Sequence, residues 1–332
     1  MKAAVFRGKN TPLSIEEFPK PVPAKNQVLV KLRAASLNHR DILVQDGPGP
    51  FPATGIVLGS DGSGVVEDVG EEVEESFIGQ EVVINPSVGW GKNPTVQADS
   101  YKILGFPDHG TFAEYVVVHY KNISDKPEHL SHDLAAAVPL AGLTAYRALF
   151  SKARIRPGEK VLITGIGGGA ALWALKMATA FQCIVYVTSG SEDKLKKGIA
   201  LGAKTGFNYK DSDWTEKAKK EAGGFDVIID SAGGEQFPKL LELAFPGARI
   251  VLFGRTAGDI APIPPRLIYW KQLSLFGTTM GNEDEFLSML DFVHKHKIIP
   301  VIDQTLSLAE ANQAFARMKA GSHFGKIVLK IS

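Results

Sequence analysis

Residues 160–171 read Lys-Val-Leu-Ile-Thr-Gly-Ile-Gly-Gly-Gly-Ala-Ala, an apolar strand running straight into four glycines and two alanines, with a Leu/Trp/Ala-rich helical pattern behind. Side chains in such a turn would hold a diphosphate away from the backbone amides. Bare amides at a helix N-terminus, with its partial positive charge, receive one. Gly165, Gly167, Gly168 and Gly169 supply the turn, and Ala170 or Ala171 closes it, because G-x-G-x-x-A and G-x-x-G-G-x-A both fit. The chemistry implied is the binding of a dinucleotide.

The elements around this turn follow from periodicity. Before residue 125 short strands, at 27–32, 62–69, 81–84 and 112–118, are broken by Gly, Pro and Asn, which predicts a mostly β domain. From about Leu134 an Ala/Leu-rich helix to Phe150 opens a βαβ alternation, with strands at 160–164, 183–188, near 208, 225–230, 248–253 and 272–278. Six such strands predict a doubly wound parallel sheet whose ligand crevice lies at their carboxyl ends. The tail reads as helix at 283–296, helix at 304–318 and strand at 326–331, the last able to return to the first domain. Residues 85–109 form the one long loop, and with residues 45–54 they are expected to shape a substrate pocket.

The chain has 332 residues, 44% of them hydrophobic, which favours two domains. Thirty-seven basic and 36 acidic residues give a net charge of +1, which offers no field to gather nucleic acid or an anionic membrane. No run approaches the roughly 18 apolar residues of a spanning helix, and the opening Met-Lys-Ala-Ala-Val-Phe is too short for a signal-peptide core. A cytoplasmic protein is expected. The single cysteine, Cys183, makes no internal disulfide or cysteine zinc site and is expected to be structural.

An acid at the end of the second strand commonly marks an NAD site, but here the chain reads Val-Thr-Ser-Gly-Ser, ending on Ser189 and Gly190. Lys194, one helical turn on, can meet a 2′-phosphate, and one charge-assisted hydrogen bond contributes about 1.5–3 kcal/mol, roughly one to two decades of preference. NADPH is therefore the expected cofactor; the alternative is that Lys194 is one charge on a solvated helix face. Arg255 follows the fifth strand at the ligand-facing end of the sheet and is a further cofactor candidate.

Ala113-Glu114-Tyr115, Pro139 to Tyr146, the glycine turn, Leu201-Gly202-Ala203, Asn208-Tyr209, Asp226 to Asp230 and Gly325-Lys326-Ile-Val-Leu together resemble the medium-chain dehydrogenase/reductase superfamily along essentially the whole chain. The likeness is to the zinc-free quinone oxidoreductase and enone reductase branch. It implies a GroES-like domain (1–126 and 267–332) interrupted by a Rossmann domain (127–266). By that resemblance Gly190, Lys194 and Tyr209 grip the adenosine 2′-phosphate, Thr144 lies near the nicotinamide, and Gly254, Phe276, Gly277 and Thr278 line the cofactor cleft. It also implies a homodimer paired through residues 273–279.

The departures from the zinc alcohol dehydrogenases of the same superfamily are chemical. Asn38 stands at their first cysteine ligand, Ser60-Asp61 at their His-Glu pair and Leu140 at their remaining cysteine. Catalytic zinc takes about three N, S or carboxylate ligands, so no catalytic metal is expected. Without a Lewis acid, a reduced nicotinamide suits quinones and conjugated enones, whose product anion is delocalised. Asn38 is then the candidate for carbonyl polarisation or nicotinamide support, Ser60 for proton relay, and Asp41 for orienting their loop. The alternatives are a metal-free aldehyde or alcohol reductase on the same scaffold, and an NADPH-binding protein without turnover.

Overall fold

Six strands, the inner four carrying the Val and Ile, lie side by side, all parallel, in the order Thr205–Asn208, Ile184–Ser189, Lys160–Ile163, Phe225–Asp230, Ala244–Leu252 and Ser274–Gly277. Their continuous apolar runs are those of strands covered on both faces: Val161, Leu162, Ile163, Val187, Val227 and Val251 are fully buried. The strand order reverses between Lys160–Ile163 and Phe225–Asp230, so the crevice expected of such a sheet opens where the glycine turn begins. This is the doubly wound sheet expected from the alternation. The computed structural model describes residues 1–9, 11–47, 51–52 and 55–331; of the expected pocket loop 45–54, residues 48–50 and 53–54 lie outside these.

The sheet belongs to one compact unit, Thr144–Met280; the other is formed by Met1–Leu143 and Gly281–Ser332. In that second unit the strand Gln27–Ser36 is central, pairing antiparallel with Asp61–Val69, Tyr115–His119 and Lys326–Lys330. Its two apolar sides are covered by a core that includes Phe6, Leu37, Phe112, Phe315, Ile327 and Leu329, and by Val28, Val30, Val66, Val82 and Ile84. The last strand does return to this N-terminal unit, pairing with Gln27–Ser36. No helix among the described residues is long and apolar enough to cross a membrane.

Three elements differ from their periodicity. The helix expected from Leu134 to Phe150 is interrupted: His132–Ala135 is followed by a separate helix that starts at Pro139, whose missing N–H suits a first helical position. The tail helix starts late, because Ile302–Ser307 is a strand parallel to Lys326–Lys330, and Ser307 begins a capping box in which its N–H donates to Glu310 Oε2 at 2.8 Å. The long loop is partly ordered by its own ladder, Ser87–Val88 against Lys102–Ile103. Within it Trp90 is buried against Tyr101, ring centroids 5.4 Å apart, with its indole N–H on the Asn93 carbonyl at 3.0 Å.

Candidate functional site

Gly165 and Gly167 both take positive φ, +68° and +128°, which is why an L side chain is strained in this turn. Gly168 then caps the helix Gly169–Ala180. Ala171 is buried, so close packing of the helix on the sheet falls to it, while Ala170 is partly exposed. A Cβ on Gly167 would lie 2.9 Å from Lys194 Cδ and 3.4 Å from its Nζ, so the Lys194 side chain crosses directly above the turn. Behind it, buried Asp230 accepts from the Thr164 hydroxyl, and that hydroxyl accepts the Ser231 N–H at 3.3 Å, tying the ends of two neighbouring strands together.

At the end of the second strand Ser189 is buried and accepts the Ser191 N–H at 3.3 Å. A Cβ on Gly190 would stand 2.7 Å from Lys210 Cε and 2.8 Å from Tyr209 Oη, so only glycine lets these two side chains close over it. Ser189 pairs with Asn208, which brings the residues following both strands together. Lys210 was not singled out from sequence; the signal was its place two residues beyond the end of a strand adjacent to the second. The neighbouring acid, Glu192, holds the Asn208 amide at 2.7 Å.

The remaining cofactor candidates are placed as follows. A Cβ on Gly254 would stand 2.4 Å from the Ser231 carbonyl oxygen. Thr144 is buried, with Oγ1 4.0 Å from Met280 Sδ. Phe276 and Gly277 lie in the edge strand, and Thr278 donates its N–H to Leu252 O at 3.0 Å while its buried hydroxyl has no partner. Arg255 is 76% exposed and 3.5 Å from Asp259. A glycine-rich turn under Lys194, a glycine under Lys210 and Tyr209 at the end of the next strand, and a buried hydroxyl without a partner fit a nicotinamide dinucleotide.

A second polar group is built by the sheet around Gln27–Ser36. Asp61 pairs directly with Ser36, and Lys326 sits two residues beyond the Val328–Ser36 pair, which places it opposite Asn38. Asp61, Lys326 and Asn38 are 0%, 3% and 6% exposed. Asp61 Oδ2 accepts from Asn38 Nδ2 and Lys326 Nζ, both at 2.9 Å, and from Ser36 Oγ at 3.2 Å, while Oδ1 takes the Leu140 N–H at 2.8 Å. Lys326 Nζ also donates to Asn38 Oδ1 at 2.6 Å. Ser60, also buried, accepts from Arg40 at 2.8 Å and donates to the Leu104 carbonyl at 2.7 Å, so its hydroxyl is held at both ends. His39 is exposed. Lys326 and Arg40 were not singled out from sequence.

These donors do not fit zinc. Among the described residues no three His, Cys, Asp or Glu side chains gather, and the two oxygens at Asn38 and Asp61 that would face a cation already face an ammonium.

Asp41 lies in the first turn of the helix His39–Asp46 and accepts the Asn38 N–H at 2.8 Å, while its Oδ1 is buried without a hydrogen-bond partner. Burial pushes its carboxyl up to about 6, against the pull of Arg40 4.0 Å away. The folded value lies above the ordinary 3.8, so the native state disfavours the ionised form, and the penalty grows as pH rises from that value to about 6. Asp41→Asn is therefore expected to raise stability by about 1–3 kcal/mol at pH 8, the gain vanishing below about pH 4, as thermal midpoints across that range will show.

Comparison with known proteins matches two families to the chain. Residues 24–128 match the alcohol dehydrogenase GroES-like domain family, and residues 169–295 match the zinc-binding dehydrogenase family. The chain is 36% identical over 340 residues to the zinc-type alcohol dehydrogenase-like protein YogA of Leptosphaeria maculans, covering 96% of this chain and 95% of that one. It is 31% identical to a quinone oxidoreductase of Mus musculus, covering 93% and 90%. A crystal structure of an NAD-dependent alcohol dehydrogenase superposes with a TM-score of 0.94 at 37% identity over the full length of both chains.

Proposed function

The chain belongs to the medium-chain dehydrogenase/reductase superfamily, and on that premise we propose that it is a zinc-independent reductase that uses NADPH to reduce quinones or α,β-unsaturated carbonyls. The observation that carries the reading is the ammonium of Lys326 on Asn38 Oδ1 and Asp61 Oδ2, a fixed cation where a metal-dependent relative would need ligands. NADPH, when bound, supplies the hydride.

The protein's own part is to bind and to stabilise charge. The amides of the turn at Gly165–Gly169 take the diphosphate, and Lys194, Lys210 and Tyr209 take the 2′-phosphate, which charge-assisted donors hold most strongly. Asn38 donates to the substrate carbonyl as negative charge gathers on its oxygen. A delocalised enolate or hydroquinone anion asks less of that donor than an isolated alkoxide does. Two copies pair along the edge strand Ser274–Gly277, whose outer backbone groups have no neighbouring strand among the described residues and whose Leu275 is exposed.

The test is the oxidation of NADPH and NADH with a series of quinones, enones and saturated aldehydes, with and without a chelator. NADPH turnover on the conjugated acceptors, unchanged by chelation, is expected. Turnover confined to saturated aldehydes would select the aldehyde reductase reading. Binding of NADPH with no oxidation would leave a binding protein, and loss of activity on chelation would overturn the metal-free mechanism.

A further inference from the structure

We propose that Lys326 is a positioning residue for this reaction: it orients and polarises the Asn38 amide, so that a buried ammonium acts on the substrate through the amide. The inference rests on the reading of Asn38 as the carbonyl donor.

The chemistry of the partners fixes the amide. An ammonium only donates and an ionised carboxylate only accepts, so Asn38 Oδ1 must face Lys326 and Nδ2 must face Asp61. A flip would set an N–H against an ammonium and a carbonyl oxygen against a carboxylate. With one Nδ2 hydrogen on Asp61, the other has no acceptor among the described residues. That hydrogen and the third N–H of the Lys326 ammonium are the donors the cluster leaves uncommitted, and Asn38 is its most exposed member.

Its strength follows from the same contacts. An ammonium on the amide oxygen draws electron density from the nitrogen, and hydrogen bonds in series polarise one another where the dielectric is low. Asp61 holds Lys326 in place and keeps the ion from being buried alone. Ile327, Val328 and Leu329, which follow Lys326 in the strand, are fully buried apolar residues, and a buried ion pair is often no more stable than apolar side chains of similar volume.

The experiment compares Lys326→Met, the double variant Asp61→Asn with Lys326→Met, and Asn38→Ala, using the best acceptor of the quinone and enone series. Lys326→Met leaves Asp61 buried without its cation, so it tests stability and activity together. The double variant leaves no unpaired charge and recovers most of the thermal midpoint, short of the parent because an amide at 61 has one oxygen for the N–H donors of Asn38 and Leu140 that the carboxylate accepted on two. If Lys326 acts through Asn38, the double variant still loses kcat by about 10²-fold, with NADPH affinity unchanged. Its Asn38 side-chain amide resonances, identified by their absence in Asn38→Ala, shift upfield. A double variant that recovers kcat along with stability, or keeps the Asn38 resonances in place, would overturn the proposal. Full activity in Asn38→Ala would instead remove the reading of Asn38 as donor, whatever the lysine variants do.

Discussion

Replacing Lys194 and Lys210 together by Ala is expected to weaken NADPH binding by roughly 10²- to 10³-fold while leaving NADH within about twofold. The expectation comes from two cations on different elements, each lying over a glycine at the carboxyl end of the sheet. Lys194 comes from the helix Glu192–Ala200 and lies above Gly167, and Lys210 follows the strand Thr205–Asn208 and lies against Gly190. A 2′-phosphate offers oxygens to both, and each charge-assisted bond contributes about 1.5–3 kcal/mol. NADH lacks that group and should not register the loss. The single variants separate the two lysines. Because the Lys194 stem passes over the glycine turn, Lys194→Ala affects both cofactors if its ammonium serves the diphosphate, whereas Lys210→Ala affects NADPH alone. Fluorescence titration with each cofactor measures this, and equal losses for NADPH and NADH in the double variant would refute the assignment.

Asp61→Ala is expected to cost about 3–5 kcal/mol of stability, far more than removal of a surface charge. The change leaves the Lys326 ammonium buried with only the Asn38 oxygen, and it strips an acceptor from the Ser36 hydroxyl, the Asn38 amide and the Leu140 N–H at once. Lys217 supplies the contrast. It pairs with Asp211 at 2.8 Å and Asp213 at 2.9 Å, but all three side chains are well exposed, and Lys217→Ala should leave the thermal midpoint nearly unchanged. Calorimetry of the two variants beside the parent checks the difference, which should fall on the transition of the unit that contains Asp61. A loss for Asp61→Ala as small as that for Lys217→Ala would mean that Lys326 finds another partner or water.

Local pattern carried much of this molecule. The glycine turn, its strand and the helix behind it occupy adjacent positions in the chain, and the strand at 225–230 appears at the bounds its apolar run predicts. Ser307 with Glu310 is likewise a local signature, a capping box that marks the start of the tail helix more reliably than the polar run Ile302–Ser307 before it marks a strand. That strand was missed because its pairing with Lys326–Lys330, rather than its own alternation, makes it a strand.

What the residue order determined by itself is whatever depends on neighbours in the chain: the succession of strands and helices, the bare amides of the turn, and the absence of a cysteine, histidine and carboxylate set at Asn38, Ser60 and Leu140. What only the tertiary structure decided is which distant side chains meet. Asp61 and Lys326 are 265 residues apart, and they touch because two antiparallel registers bring both to the end of the strand Gln27–Ser36. Lys210 reaches Gly190 because neighbouring parallel strands end level, at Ser189 and Asn208. A one-residue slip in either register would turn these side chains to the opposite face, which is why such meetings are written in the pairing of strands and not in any stretch of sequence.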